Sequence, residues 1–145
     1  MVLFDNHNHS QFSFDGKRTT VESSAMAAVE AGLGGICFSD HCDFYVPPMK
    51  AGFEDLQKEY FDVAEQQAEI SRVQGLIGDK TKILKGIEIG MYEECHEPIR
   101  KVLSENTFDQ IIASVHYIEQ TDPYYGGFYE GKDWKEAYGS YLETI

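Results

Sequence analysis

The chain has 145 residues, a formal net charge of −13 at pH 7, and 42% hydrophobic and 26% charged residues. This length suits a single domain with a core of its own, and the composition is that of an ordinary soluble globular protein. Because so negative a surface repels phosphate backbones and anionic lipids, we expect no nucleic acid and no membrane among its partners.

Predicted strands and helices alternate along the sequence. In chain order they are a strand at residues 2–6, a helix at 21–31, a strand at 35–39, a helix at 54–76, a strand at 82–89, a helix at 97–104, a strand at 108–115 and a helix from 134 to the end. Thr19 and Glu22 have the spacing of a capping box, which predicts Thr19 as the N-cap of the first helix. The alternation predicts parallel strands and hence an α/β fold, but it does not separate an open doubly wound sheet from a closed barrel.

Residues able to bind a metal ion lie at the end of every predicted strand. They are His7 and His9 after the first strand, Asp40 and His41 after the second, Glu88 late in the third and His116 after the fourth, with Asp15 in the first loop. In α/β folds the functional site lies at the carboxyl ends of the strands. His7 and His9 are two residues apart, so they point to the same side of an extended segment. The sequence therefore predicts that these side chains converge on one metal centre.

The ligand types indicate which metals and which chemistry such a centre serves. Imidazole together with carboxylate suits zinc, manganese or iron, whereas calcium prefers sites made of oxygen alone. Two or three divalent ions lower the pKa of water and neutralise an anionic phosphate ester. Glu88 has two carboxylate oxygens to share, which makes it the natural bridging ligand. An acidic chain can bind an anionic substrate in this way because the ions invert the local charge.

Each of these residues also has an ordinary structural explanation. A single histidine after a strand is usually a hydrogen-bonded loop residue, and a His-x-His motif alone is a weak signal. Glu88 alone could be an interior carboxylate that pairs with a lysine. His96, at a predicted helix start, is interpreted as a surface residue. The metal hypothesis therefore depends on the convergence of four strand ends and on no single residue.

The cysteines and the hydropathy of the chain bear on its location. Cys37, Cys42 and Cys95 are odd in number and show no Cys-x-x-Cys spacing, so neither a disulfide framework nor a zinc knuckle is predicted. The start has no basic segment typical of a signal peptide, and no segment approaches the roughly 20 apolar residues that span a bilayer. We therefore expect a cytoplasmic protein, with Cys37 in the core.

Five sequence motifs surround the candidate ligands. They are His7-Asn8-His9-Ser10 followed by Phe14-Asp15-Gly16, then Phe38-Ser39-Asp40-His41, Gly86-Ile87-Glu88, Ala113-Ser114-Val115-His116, and the segment 127–133. Taken in this order they cover the whole chain, and the sequence resembles the PHP (polymerase and histidinol phosphatase) superfamily. Within that superfamily it is most similar to the histidinol-phosphatase-like branch.

This resemblance implies a distorted (β/α)7 barrel with up to three divalent metal ions, which are zinc, iron or manganese. It implies a phosphoric monoester hydrolase of histidine biosynthesis, with histidinol phosphate as its small phosphorylated substrate. The positions that match metal ligands of the family are His7, His9, Asp15, His41, Glu88 and His116. Glu88 and His116 are also predicted at the catalytic centre, whereas Asp40 is predicted to support a ligand. The sequence assigns no substrate-binding residue.

The chain matches only the first part of the family's pattern. A further histidine on a later strand, an Asp-x-His pair and later basic residues have no counterpart here, so we expect about four βα units of the barrel. That is a single PHP domain over residues 1–145, incomplete at its C-terminus, whose open strand edges favour a homo-oligomer. Three hypotheses stay open: a histidinol-phosphate phosphatase, a PHP enzyme acting on another phosphoester, and an inactive or partial metal-binding fragment that self-associates.

Overall fold

The computed structural model describes residues 2–44, 60–92, 95–124 and 127–145. Within these ranges the chain forms five strands and four α-helices. In order they are β1 (Phe4–Asn8), α1 (Val21–Glu30), β2 (Gly35–Phe38), β3 (His41–Cys42), α2 (Val63–Ile77), β4 (Lys82–Gly90), α3 (His96–Glu105), β5 (Gln110–Ser114) and α4 (Trp134–Thr144). None of the helices in these ranges is long and apolar enough to cross a membrane.

The strands form one parallel sheet. β1 pairs with β2, and both β2 and β3 pair with β4 in the same register, with Phe38 opposite Lys85 and His41 opposite Glu88. β2 and β3 therefore act as one strand that is interrupted at residues 39–40. β5 pairs with the opposite edge of β4. The sheet is curled into a half-barrel, which confirms the predicted α/β fold.

The predicted strands are present with shifted bounds. β1 begins at Phe4 and ends at Asn8, so His7 lies inside the strand and not after it. β1 is also less buried than predicted, with Phe4 46% exposed, because within the described residues β1 has a neighbouring strand on one side only. β3 has two residues, which is too short for a sequence pattern to indicate. It forms because the chain after β2 continues along β4.

The N-cap of α1 differs from the prediction by one residue. Thr20 is the cap: its Oγ1 accepts the N–H of Ser23 at 3.0 Å, and Ser23 Oγ accepts the N–H of Thr20 at 2.9 Å. The predicted cap, Thr19, is engaged elsewhere, because its hydroxyl donates to the carbonyls of His9 and Gly16. Thr19 therefore holds the first loop, and Thr20 caps the helix.

The start of α2 also differs from the prediction. The helix begins at Val63, whereas the sequence predicts a start at Glu54. Asp62 is the N-cap, and its carboxylate accepts two backbone N–H groups of the first turn at 2.9 and 3.2 Å, which is a strong start signal. Residues 60–62 are not helical, and residues 54–59 of the predicted helix lie outside the described residues.

The core lies between the helices and the sheet in two clusters. One packs α1 and α2 against β2 and β4, and its buried residues are Val21, Ala25, Ala28, Ile36, Phe38, Ile70, Val73, Ile77 and Ile83. The other packs α3 and the start of α2 against β3 and β4, and its buried residues are Cys42, Val63, Ile87, Ile89, Cys95 and Ile99. Cys37 is fully buried, as predicted, and all three cysteines are free thiols. This apolar burial holds the strands so that their carboxyl ends form a fixed rim.

Candidate metal centre

The strands bring the candidate ligands to one end of the sheet. His7 lies near the end of β1, and His9 comes directly after that strand. His41 begins β3 opposite Glu88 in β4, and His116 follows β5 by two residues. Because the carboxyl ends of parallel strands meet at one edge, residues from distant parts of the chain become neighbours there.

The carboxylate of Glu88 lies at the centre of these histidines. Its Oε2 is 3.0 Å from Nε2 of His7 and 3.1 Å from Nε2 of His9. Its Oε1 is 3.1 Å from Nε2 of His116 and accepts the hydroxyl hydrogen of Ser114 at 2.6 Å. The side chain is only 5% exposed. The two oxygens face different histidines, an arrangement that suits a bridging carboxylate.

Asp15 extends into the site from the loop between β1 and α1. Its carboxylate lies 2.9 Å from Nδ1 of His9 and accepts the hydroxyl hydrogen of Ser13 at 2.6 Å. The tight path of this loop requires glycine at position 16, because a Cβ on Gly16 would lie 1.8 Å from the carbonyl oxygen of Ser10. The loop geometry therefore places Asp15 beside His9, as the sequence predicts.

Asp43 is the residue of this site that the sequence analysis missed. It comes directly after β3 and is 3% exposed. Its Oδ1 lies 2.8 Å from Nδ1 of His116, and its Oδ2 lies 3.6 Å from Nδ1 of His41. A signal for it exists in the sequence: Asp43 stands two residues after His41, the same spacing that links His7 and His9.

The predicted ligands and Asp43 form one contiguous group. We refer to it as the histidine–carboxylate cluster, and its members are His7, His9, Asp15, His41, Asp43, Glu88 and His116. His96 lies outside the cluster and is exposed at the start of α3, as predicted. All six residues predicted as metal ligands are therefore brought together, and each has a cluster neighbour within 4 Å.

Asp40 lies behind the cluster and is fully buried. Its Oδ1 accepts the backbone N–H of Ser10 at 2.5 Å, and its Oδ2 accepts the Ser10 hydroxyl at 2.9 Å and Nε2 of Gln66 at 2.7 Å. Ser10 follows His9 directly, so Asp40 fixes the chain where it leaves β1. The supporting role of Asp40 stays a prediction, and these contacts to the residue after His9 are the ones such a role requires.

The packing of imidazoles against carboxylates shifts their pKa values. Burial lowers the pKa of His9, but hydrogen bonds to Glu88 and Asp15 outweigh it and raise the pKa to about 9. Burial likewise opposes the charged form of His116, yet Asp43 and Glu88 raise its pKa to about 10. The pKa of Glu88 is held far below its usual range by the histidines around it, although burial acts in the opposite direction. Without metal, His9 and His116 are therefore imidazolium ions at neutral pH that face the ionised carboxylate of Glu88.

Divalent metal ions fit this donor set. Three groups have ligand atoms within 4.8 Å of one another, namely His7, His9 and Glu88, then His9, Asp15 and His41, and then His41, Asp43 and His116. Nδ1 of His41 and Oδ2 of Asp43 are buried in the cluster and have no hydrogen-bond partner among the described residues. Buried polar atoms are seldom left in this state, and imidazole with carboxylate is the set that zinc, iron and manganese accept.

A cavity of about 510 Å³ opens beside the cluster. Its lining residues are Phe14, Asp15, His41, Val115, His116, Tyr117, Asp122, Pro123 and Tyr124. Three of them belong to the cluster, and most of the others are aromatic or apolar. The ring of Phe14 lies 5.0 Å, centroid to centroid, from the ring of His41. A cavity of this size and lining suits a small organic molecule next to the ligands.

The sequence pattern described as the PHP domain matches residues 5–145 of this chain. The chain belongs to the PHP domain family. This confirms the resemblance given by the motifs around His7, Asp40, Glu88 and His116. The histidine–carboxylate cluster therefore lies inside a PHP domain.

The relatives of this PHP domain that we compared are named as histidinol-phosphatases. The histidinol-phosphatase of Lactococcus lactis subsp. lactis (strain IL1403) is 37% identical over 143 residues, which are 98% of this chain and 50% of that protein. A protein of Clostridium acetobutylicum named "Probable histidinol-phosphatase" is 30% identical over 144 residues, which are 99% of this chain and 51% of that protein. The chain thus spans about half the length of the curated relatives that it matches.

A solved structure has the same fold as this chain over nearly its whole length. The crystal structure of histidinol phosphate phosphatase from Lactococcus lactis, complexed with zinc, L-histidinol and phosphate, matches with a TM-score of 0.85 at 33% identity. The match covers 98% of this chain and 51% of that one. The half-barrel described here therefore corresponds to about half of that solved structure.

Proposed function

We propose that this PHP domain is the metal-binding part of a phosphomonoester hydrolase that acts on histidinol phosphate. The observation that carries the proposal is the position of Glu88, whose two carboxylate oxygens lie 3.0–3.1 Å from imidazole nitrogens of three histidines. The names of the relatives, one of them solved with zinc, L-histidinol and phosphate, support the choice of substrate.

The residues proposed to hold up to three divalent ions, which are zinc, iron or manganese, are His7, His9, Asp15, His41, Glu88 and His116. A divalent ion bound here supplies Lewis acidity, which favours ionisation of water near neutral pH and offsets the negative charge of a phosphate ester. Strand pairing and the Ser114 hydroxyl hold Glu88 in place, so little rearrangement of this ligand is needed. His116 belongs both to the cluster and to the cavity lining, and we therefore place the hydrolytic centre at Glu88 and His116.

The cavity beside the cluster is the proposed place for the organic part of the substrate. The aromatic rings of Phe14 and Tyr124 can pack against an imidazole ring, since planar groups favour stacked or edge-to-face contacts. Asp122 is part of the same lining, and its negative charge favours a cationic amine over a neutral group. A phosphate ester of an amino alcohol with an aromatic ring matches this combination.

The test is a phosphate-release assay on the chain loaded in turn with zinc, iron(II) and manganese(II). L-histidinol phosphate is compared with glycerol phosphate, which lacks the amine and the ring, and with a 5′-phosphorylated oligonucleotide. We expect turnover of L-histidinol phosphate that is lost on chelation and restored by added metal. Turnover of the other esters without turnover of L-histidinol phosphate would support a phosphoester hydrolase but contradict histidinol phosphate as its substrate.

Two variants show whether measured turnover belongs to the cluster. His7→Ala and Glu88→Ala each remove a proposed ligand, and both are expected to abolish metal-dependent phosphate release. Glu105→Gln removes one negative charge from an exposed position at the end of α3 and serves as the control. Phosphate release that is unchanged in both cluster variants would contradict the proposed function.

The sheet edges favour a second candidate function, a metal-binding module that pairs with a second copy of this chain. Val2 and Leu3, just before the outer strand β1, are 71% and 56% exposed, and Ile111 in the outer strand β5 is 52% exposed. Unpaired strand edges with exposed apolar residues are prone to associate. Metal retention without turnover, together with a dimer mass in light scattering, would favour this candidate over the hydrolase.

We also propose that the domain works in the cytoplasm. Cys37, Cys42 and Cys95 are buried free thiols. Burial raises the pKa of Cys37 to about 11 and that of Cys42 to about 12, so both remain unreactive thiols. Free thiols of this kind fit a reducing compartment.

A further inference from the structure

Asp43 is nearly inaccessible to solvent, yet among the described residues only one of its two oxygens has a hydrogen-bond partner. The side chain is 1% exposed, and its Oδ1 lies 2.8 Å from Nδ1 of His116. Its Oδ2 is buried without a partner among the described residues and lies 3.6 Å from Nδ1 of His41. A buried carboxylate with a free oxygen is costly unless the site uses it.

The contact with Asp43 determines which nitrogen of His116 faces Glu88. A carboxylate oxygen accepts hydrogen bonds, so the short contact to Nδ1 requires that Nδ1 carries the hydrogen. By the same reasoning Nε2, which is 3.1 Å from Oε1 of Glu88, also carries a hydrogen in the metal-free chain. A metal ion at Nε2 would displace that hydrogen, while the contact with Asp43 would keep the one on Nδ1. Asp43 therefore holds the ring with Nε2 toward the proposed metal position and favours the tautomer that leaves the Nε2 lone pair for a metal ion.

Gly90, at the end of β4, makes the space that this pair requires. A Cβ at this position would lie 1.6 Å from Oδ1 of Asp43 and 3.2 Å from Nδ1 of His116. Gly90 is paired in register with Ser114 of β5, two residues before His116. Any larger residue at position 90 would push the Asp43 carboxylate away from the histidine.

We propose that Asp43 is a positioning residue that orients His116 as a metal ligand through Nε2, and that Gly90 is the glycine that permits this contact. The inference rests on the proposed metal centre and adds a residue that no sequence motif assigned. Partner carboxylates of this kind fix the ring of a metal-binding histidine, and their loss typically costs 10–100-fold in metal affinity.

The test measures zinc affinity by competition with a chelator, and it follows the Nδ1–H resonance of His116 by NMR in the zinc-loaded chain. Asp43→Ala removes the carboxylate, and Gly90→Ala displaces it without removing any polar group. We expect each variant to weaken zinc binding roughly 10–100-fold and to lose the Nδ1–H resonance. Gly75→Ala is the matched control, because a Cβ at that position in α2 meets nothing within 4 Å.

A conservative variant guards against loss of folding. Asp43→Asn keeps the shape and one acceptor oxygen but not the charge, so we expect its zinc affinity to fall less than that of Asp43→Ala. Wild-type affinity in both Asp43→Ala and Gly90→Ala, or His116 bound to zinc through Nδ1, would overturn the positioning role alone. A wild-type chain that binds no zinc would instead overturn the proposed metal centre itself, and the positioning role with it.

Discussion

His41 and Glu88 lie directly opposite each other in the ladder between β3 and β4, and Nδ1 of His41 is 3.5 Å from Oε2 of Glu88. Parallel strands hold such opposite residues at a fixed separation. The two-residue strand β3 therefore has a clear role, because it aligns an imidazole with the carboxylate at the centre of the cluster. The remaining histidines approach the same carboxylate from β1 and from the end of β5.

Replacing Glu88 with glutamine tests its central place in the cluster. Glutamine keeps the shape but offers only one acceptor oxygen, and that oxygen is uncharged, so it cannot bridge two positions. We expect Glu88→Gln to weaken zinc binding by more than the 10–100-fold typical of a supporting residue. Metal content after dialysis measures the effect, with Glu105→Gln as the control. Equal zinc content in the two variants would refute the central role.

The stability of the metal-free chain is predicted to depend on pH in the alkaline range. The pKa of His9 is raised to about 9 and that of His116 to about 10, against an unfolded value of 6.5. Because these pKa values are higher in the folded chain, the protonated histidines stabilise the folded state. This stabilisation is complete below pH 6.5 and is lost as the pH rises through about 9 to 10. Thermal unfolding of metal-free protein should therefore show a falling Tm over this range. A constant Tm from pH 6.5 to 10 would show that the ion network does not form.

Zinc binding is predicted to release protons at neutral pH. In the metal-free chain His9 and His116 are protonated at pH 7, whereas a metal ligand must be neutral. Saturation with zinc should release about two protons per chain from these histidines, and zinc affinity should rise with pH. Calorimetric titration in buffers of different ionisation enthalpy measures the number. His96→Ala lies outside the cluster and should leave the number of released protons unchanged. A binding heat that does not depend on the buffer would argue against His9 and His116 as metal ligands.

Asp40→Asn is predicted to affect stability more than metal binding. Both oxygens of Asp40 accept hydrogen bonds from Ser10, and one also accepts from Gln66. An amide places an N–H group against one of these donors, which should cost about 1–3 kcal/mol in the free energy of unfolding. Urea unfolding measures the loss, with Asp79→Asn at an exposed position as the control. If Asp40→Asn kept full stability but lost its zinc, Asp40 would be a ligand and not a support.

Much of the fold and of the cluster could be predicted because both follow from simple periodicity. Residues two apart in an extended segment share a side, which links His7 with His9, and parallel strands present their carboxyl ends together. The same rule could have linked Asp43 to His41. What the sequence could not show is that residues 41–42 pair with β4, since so short a strand has no pattern of its own.

Other differences between the prediction and the structure arise because a side chain can bond to a partner other than the one that its local spacing suggests. Thr19 has the right spacing for an N-cap, but its hydroxyl bonds to two carbonyls of the preceding loop, and Thr20 takes the cap. The role of Gly90 likewise depends on a carboxylate far away in the sequence. Tertiary contacts of this kind override local signals, and a sequence pattern within one element does not contain them.

The central claim is that the histidine–carboxylate cluster holds metal ions, and anomalous diffraction at the zinc edge tests it most directly. Crystals grown with zinc should show anomalous peaks among His7, His9 and Glu88 and beside His116, with ligand distances of about 2.0–2.2 Å. Peaks confined to exposed residues such as His96, with none in the cluster, would contradict the account.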